Sequence, residues 1–167
     1  MSTNGAWRTA IVTGAASGIG RCFAETLAAQ GTVVGLLDVS IDGLRSTAEA
    51  LRAAGRRVES SVGDVSDAAR LSAAVDTLVS TLGGLDLVIH CAAILGPGHF
   101  AEQPADAFER VIRTNLIGTA NIVRATLPAL RTSHGAIACL ASTAAVHGWP
   151  ALGAYSAAKF EIGRAHV

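Results

Sequence analysis

Thr13-Gly14-Ala15-Ala16-Ser17-Gly18-Ile19-Gly20 follows the apolar run Thr9-Ala10-Ile11-Val12 and opens a helical pattern that carries Phe23, Ala24, Leu27 and Ala28. A strand, a glycine-rich turn and a helix therefore meet in one short stretch. Glycine lets the backbone turn tightly and come close to a ligand where a β-carbon would obstruct it. The helix start presents unpaired N–H groups and the positive end of a dipole, which together seat a pyrophosphate. The expected ligand is a dinucleotide, and the alternative is a purely structural glycine loop. The spacing departs from Gly-x-Gly-x-x-Gly, because three residues separate the first two glycines and one separates the last two.

Composition narrows the function classes. A chain of 167 residues, half of them hydrophobic, is long enough for one domain with a sizeable core. Its formal net charge is zero and 16% of its residues are charged, so it offers no electrostatic footprint for nucleic acid or an anionic membrane. No apolar run approaches the roughly 20 residues that span a bilayer, and residues 1–6 lack the charged and apolar regions of a signal peptide. A cytoplasmic protein acting on a small molecule is expected. Cys22, Cys91 and Cys139 have neither metal-ligand nor Cys-x-x-Cys spacing and read as reduced thiols, the last two in or beside buried strands. No metal site is expected.

Beyond the first helix, closed by Gly31, the almost wholly apolar run 32–38 predicts a second strand covered on both faces. Asp38 ends it 18 residues after Gly20, where dinucleotide folds place an acid that accepts hydrogen bonds from the adenosine ribose. Its charge would repel a 2′-phosphate, favouring NAD over NADP. The alternative is a strand-end Asp that caps the next helix, a task Ser40 could perform instead. Residues 41–54 predict a helix buried through Leu44, Ala48 and Leu51, residues 57–63 a third strand, and residues 66–82 a helix capped by Ser66. Residues 85–90 predict a fourth strand, so that strands and helices alternate as in a parallel sheet with right-handed crossovers. His90 reads as a structural strand-end residue rather than an acid or base. A long helical pattern then runs from Pro104 to about Leu130, with Asn115 as its odd member and Pro128 as a kink or stop, before a fifth strand over 136–141. The punctuated loops 95–100 and 142–153 predict two pocket walls, carrying Phe100 and Trp149.

Tyr155 and Lys159 are four apart and share one face of the helix they begin, and Ser142 precedes Tyr155 by 13 residues. With Thr-Gly-x-x-x-Gly-x-Gly at residues 13–20, this set resembles the short-chain dehydrogenase/reductase family over essentially the whole chain to Phe160. The resemblance implies an α/β fold, a doubly wound, Rossmann-like parallel sheet of order 3-2-1-4-5 with its later strands missing. It implies a cofactor, NAD rather than NADP, held by Gly14, Ser17, Gly18, Ile19, Gly20, Asp38, Asp64, Val65, Cys91, Ala92, Tyr155 and Lys159. It further implies hydride transfer between NAD(H) and a secondary alcohol or ketone, with catalytic residues Asn115, Ser142, Tyr155 and Lys159. Tyr155 would be the general acid/base, Lys159 its activator and a ribose ligand, Ser142 the partner of the substrate oxygen, and Asn115 the holder of a relay water. A full-length parent would be a homo-oligomer.

The chemistry is coherent. A free phenol titrates near 10 and is a poor base at neutral pH. An ammonium at about 4 Å supplies on the order of 4 kcal/mol at an effective dielectric near 20, enough to change that. One motif departs from the family: His90-Cys91-Ala92-Ala93 stands where Asn-Asn-Ala-Gly is usual, leaving the local hydrogen bonds open. The family usually continues well past this helix, and Glu161-Ile162-Gly163-Arg164-Ala165-His166-Val167 reads as a translated sequencing adapter. The expected organisation is thus an incomplete dinucleotide-binding domain over residues 1–160 with a non-native tail over 161–167. A dinucleotide sensor without turnover, or an inactive fragment, are the alternatives.

Overall fold

A computed structural model describes residues 7–162. Five strands form one parallel sheet of order β3-β2-β1-β4-β5: β1 Thr9–Thr13, β2 Val33–Asp38, β3 Val58–Val62, β4 Leu87–His90 and β5 Ala136–Cys139. Helices α1 Gly18–Ala29, α2 Ile41–Ala53 and α3 Ala68–Leu82 make the first three crossovers. A long helical segment links β4 to β5, built of α4 Ala105–Ile112, a π-helical turn Arg113–Ile117 and α5 Gly118–Ser133. A short 3-10 turn Thr143–Ala145 and α6 Gly153–Ile162 follow.

The strand period of two splits the core between the sheet's faces. Ala10 and Val12 of β1, Val34 and Leu36 of β2, and Leu87 and Ile89 of β4 pack with Ala24, Leu27, Leu44, Ala48 and Leu51 of α1 and α2. Ile11, Leu37 and Val88 point the other way, onto Leu71, Val75 and Leu78 of α3 and Ile122 and Leu130 of α5. Full burial of each such aliphatic side chain contributes about 1.5–3 kcal/mol. Both faces of the three middle strands are covered, which is why their sequences run apolar without alternation.

Several expectations shift on the structure. The cap of α3 is Asp67, whose carboxylate accepts the Arg70 N–H, while Ser66 is turned back onto Asp64. Pro128 neither ends nor closes its helix; α5 continues to Ser133, with Arg124, whose carbonyl the proline leaves without an N–H, on the exposed side. Phe23 lies toward solvent, and β5 is shorter than predicted and alternates exposed and half-buried residues as the edge of the described sheet. Cys139 is half-buried there and Cys91 beside β4, whereas Cys22 is exposed. Glu161 and Ile162 continue α6, with Ile162 buried; residues 163–167 of the expected tail, like 1–6, lie outside the described residues.

At the amino edge of the sheet, Asp86 accepts the Arg8 and Thr9 backbone N–H groups, each at 3.1 Å, and the Arg8 guanidinium at 3.0 Å. This clamp joins the starts of β1 and β4 and leaves the carboxyl edge as the open end. No helix among the described residues is long and apolar enough to cross a membrane.

Candidate active site

The glycine turn sits at the carboxyl edge of β1. Gly14 and Gly18 have φ of +69° and +52°, a region L side chains rarely adopt. A β-carbon on Gly20 would fall 2.2 Å from the Gly14 carbonyl oxygen, whereas one on Gly18 would meet no protein atom within 4 Å. Close packing thus explains one glycine and an open approach the other. Ser17 begins α1 without a side-chain hydrogen bond to the helix, and the first N–H groups of α1 have no partner within it. Together these features make a cradle that fits a pyrophosphate.

The cradle opens into a cleft of about 350 Å³, whose walls include Gly14, Ser17, Gly18, Ile19, Gly20, Asp38, Asp64, Val65, Cys91 and Ala92, every cofactor residue expected from sequence short of the Tyr-Lys pair. Asp38 does not cap α2; Ser40 does, through the Gly43 N–H. The Asp38 carboxylate instead accepts the Ala16 N–H at 3.1 Å and the Ser40 N–H at 2.9 Å, tying the end of β2 to the glycine turn. Each oxygen keeps a second lone pair for a ribose hydroxyl. Asp64 folds into a turn on Ser66, and Val65 is held from behind, its carbonyl by Asn121 Nδ2 at 2.9 Å and its side chain against Gly118, where a β-carbon would come within 2.6 Å.

On the far wall, Thr13 Oγ1 receives the Ala92 N–H at 3.1 Å and the Cys91 N–H at 3.2 Å, the latter shared with the Thr13 carbonyl. His90 is buried between Thr13 Oγ1, 2.7 Å from its Nδ1, and Thr119 Oγ1, 3.0 Å from its Nε2. Burial, and secondarily the Lys159 ammonium, lower its pKa from 6.5 to about 4, so it is neutral and structural, as its strand-end position suggested. Burial likewise raises the Cys91 thiol to about 11 against the pull of Lys159, which leaves no nucleophilic thiolate at neutral pH.

Tyr155 and Lys159 share a second cavity of about 200 Å³ with Ile19, Cys91, Ala93, Ile94, Leu95, Leu140 and Ala141; Ile19, Cys91, Ala93 and Ile94 line both cavities, which are therefore neighbours. Lys159 is 5% exposed, donates to the Leu140 carbonyl at 2.6 Å and lies 5.8 Å from the Tyr155 ring centroid. Burial lowers its pKa, partly offset by the thiols of Cys139 and Cys91. Ser142 follows the Leu140-Ala141 wall and starts the 3-10 turn, its Oγ accepting the Ala144 N–H at 3.2 Å. Its hydroxyl hydrogen remains available to an acceptor.

Asn115 is brought to the site less directly. It sits in the π-helical turn, 1% exposed, and its amide clasps one residue: the Ile94 N–H donates to its Oδ1 at 2.9 Å and its Nδ2 donates to the Ile94 carbonyl at 2.8 Å. A helical periodicity cannot reveal a π turn, which absorbs one additional residue. The aromatic walls also differ from expectation. Phe100 stacks edge-to-face on Phe108 at 5.7 Å and Trp149 is half exposed, while Leu95, Leu140 and Ala141 form the apolar side of the smaller cavity. The hydrogen-bonding roles of Thr13, Thr119 and Asn121 escaped sequence reading; the one signal was isolated polar residues at positions that strand and helix phase assign to the core.

An open parallel sheet whose first turn forms a cradle that fits phosphate, with a cleft at its carboxyl edge, defines a dinucleotide-binding α/β protein. The family model for short chain dehydrogenases matches residues 8–164, and the chain belongs to that family. It is 39% identical to 2-dehydro-3-deoxy-L-rhamnonate dehydrogenase (NAD(+)) of a Sphingomonas species, over 92% of this chain and 61% of that protein. Among solved structures, an actinorhodin polyketide ketoreductase variant with NADPH superposes with a TM-score of 0.88 at 32% identity, covering 93% of this chain and 60% of that one. Carveol dehydrogenase from Mycobacterium avium in complex with NAD gives 0.87 at 27% identity, covering 94% and 62%. The chain spans about three fifths of the length of these relatives.

Proposed function

We propose that this chain carries the cofactor site and catalytic pair of an NAD-dependent oxidoreductase that interconverts a secondary alcohol and a ketone. The observation that carries this reading is the cavity in which Lys159 and Tyr155 meet, which shares four wall residues with the glycine-turn cleft. The similarity to a dehydrogenase named for NAD(+) supports it, as does Asp38, whose carboxylate would repel a 2′-phosphate. The bound cofactor would supply or accept the hydride.

The chain's own residues handle position and protons. Gly14, Ser17, Gly18, Ile19 and Gly20 hold the pyrophosphate by backbone N–H groups, Asp38 takes the adenosine ribose, and Asp64 and Val65 flank the base. Cys91 and Ala92 present backbone to the other end. Tyr155 gives its hydroxyl proton to the carbonyl oxygen in reduction and takes it back in oxidation. Lys159, held by the Leu140 carbonyl, stabilises the phenolate so formed and binds the nearby ribose. Ser142 donates to the substrate oxygen. Asn115 fixes Ile94 and, through its remaining amide hydrogen, holds a relay water.

Calorimetry with NAD and NADP, followed by turnover against a panel of secondary alcohols and ketones for wild type and Tyr155→Phe, tests the reading. Saturable NAD binding by both forms with turnover lost only in Tyr155→Phe is expected. Equal turnover in the variant would overturn the assignment of Tyr155, and absence of binding by wild type would overturn the cofactor site.

A further inference from the structure

Five hydrogen bonds make a four-step path through the interior, from the cofactor-facing backbone at residues 91–92 to the π-helical turn, the first step being two parallel N–H bonds onto one hydroxyl. The series begins at the Ala92 and Cys91 N–H groups on Thr13 Oγ1, passes through His90, and ends with Thr119 Oγ1 donating to the Asn115 carbonyl at 2.6 Å. Donor and acceptor capacity fixes its direction. A carbonyl only accepts, so the single hydroxyl hydrogen of Thr119 is committed to Asn115, and Thr119 can meet His90 only as an acceptor. His90 must then carry its proton on Nε2. From the other end, two N–H groups face Thr13 Oγ1, which leaves that hydroxyl its hydrogen to offer, and Nδ1 of His90 must accept it. The two ends require the same tautomer independently.

We infer that His90 is a positioning residue that, as the neutral Nε2–H tautomer, couples the cofactor-facing turn at residues 91–92 to the π-helical turn bearing Asn115. An imidazole bridges the 13–119 gap because its two nitrogens differ in role, one donating and one accepting. Both ends of the chain of bonds reach the site: Cys91 and Ala92 line the cleft directly, and Asn115 holds Ile94, which lines both cavities. His90 itself is 3% exposed and has no hydrogen to spare for a ligand. It acts through its neighbours. The link to cofactor binding rests on the function proposed above; the tautomer and the coupling do not.

The experiment uses the whole chain with 15N-labelled histidine, its ring signals assigned through bonds, alongside Thr119→Val and Thr119→Ser. At neutral pH, wild-type His90 is expected to show a protonated Nε2 and an unprotonated Nδ1; the opposite tautomer, or a rapid mixture of the two, overturns the inference. Thr119→Val removes both the acceptor for Nε2–H and the donor to Asn115. It should mix the His90 tautomers, displace the amide signals of Cys91 and Ala92, and weaken NAD binding roughly tenfold. Thr119→Ser, which keeps the hydroxyl, should restore all three. Unmoved Cys91 and Ala92 amides in a folded Thr119→Val would mean there is no coupling, and moved amides with unchanged NAD affinity would confine His90 to a structural role. If Thr119→Val does not fold, Thr119→Ala, which removes the same hydroxyl without adding bulk, is read in its place. Absence of NAD binding by wild type, with the tautomer and amide results as expected, would sink the proposed function and leave the coupling intact.

Discussion

β1 and β5 stand two places apart in the same sheet and are built in opposite ways. All five residues of β1 are buried between β2 and β4, whereas β5 alternates exposed and half-buried residues at the edge. β1 carries the glycine turn; β5 leads to Leu140, Ser142 and the anchor of Lys159. The cofactor cradle is therefore held by covered strands and by bonds from both sides, Asp38 on one and Thr13 on the other. The Tyr155-Lys159 pair depends on α6, which packs on α4, the π turn and the 3-10 turn, and on one short bond to the Leu140 carbonyl. The glycine-turn cleft is built into the core, and the proposed catalytic pair is fastened to its rim.

The sharpest way to separate the two regions is Tyr155→Phe, which should lower turnover by about 10²–10⁴-fold while leaving NAD affinity within about twofold, as read by steady-state kinetics and calorimetry. A parallel loss of affinity would show that rim and core are not separable. Stability should divide the other way. Ile11→Ala in β1 is expected to cost about 2–5 kcal/mol in denaturant unfolding, and Ile137→Ala in β5 about 1 kcal/mol; equal losses would erase the distinction between the strands. Asp38→Ala should raise the affinity for NADP relative to NAD roughly tenfold, about 1.4 kcal/mol, by calorimetry. An unchanged ratio would remove Asp38 from the ribose site.

At the far end of β1, burial pushes the Asp86 carboxyl up, but the Arg8 and Thr9 hydrogen bonds outweigh it and hold its pKa below the ordinary 3.8. A lowered folded value means that the stabilisation is fully present above the unfolded pKa and is lost as pH falls through the folded one. The stability gap between wild type and Asp86→Asn should thus be constant above about pH 5 and shrink below 3.8. A gap independent of pH would show that the clamp does not depend on the charge. The smallest effect concerns the turn into β5, where His134 ends α5 at φ +55°. His134→Gly should add about 0.5–1 kcal/mol to thermal stability by removing the left-handed penalty of a β-carbon.

What could be read from sequence were the features written locally. The glycine turn, Asp38 at the strand end and the four-residue interval from Tyr155 to Lys159 each depend on spacing over at most two consecutive elements, and the strands appear in the anticipated sheet order. Misreadings arose where two adjacent residues compete or where the answer lies across the fold. Ser66 and Asp67 are both good caps, and only the phase of α3 decides between them. The fifth strand reads as buried because Ala136-Ile137-Ala138-Cys139 is apolar, yet burial depends on neighbours outside the strand. The Asn115 clasp on Ile94 and the Thr13-His90-Thr119 series join residues 21 to 77 positions apart, beyond the reach of any periodicity.

The position of β1 also shapes how this chain folds. Thr13 pairs with His90, 77 residues downstream, so the central strand cannot acquire its second neighbour until the fourth has been made. At about 5–20 residues per second on the ribosome, β1 waits roughly 4–15 s after its own synthesis with one edge unpaired. Pairing over so long a loop is slow and leaves apolar strand edges open to other chains. The strand that ends up best protected is the one that spends longest exposed, and nascent-chain aggregation should track the survival of that open edge.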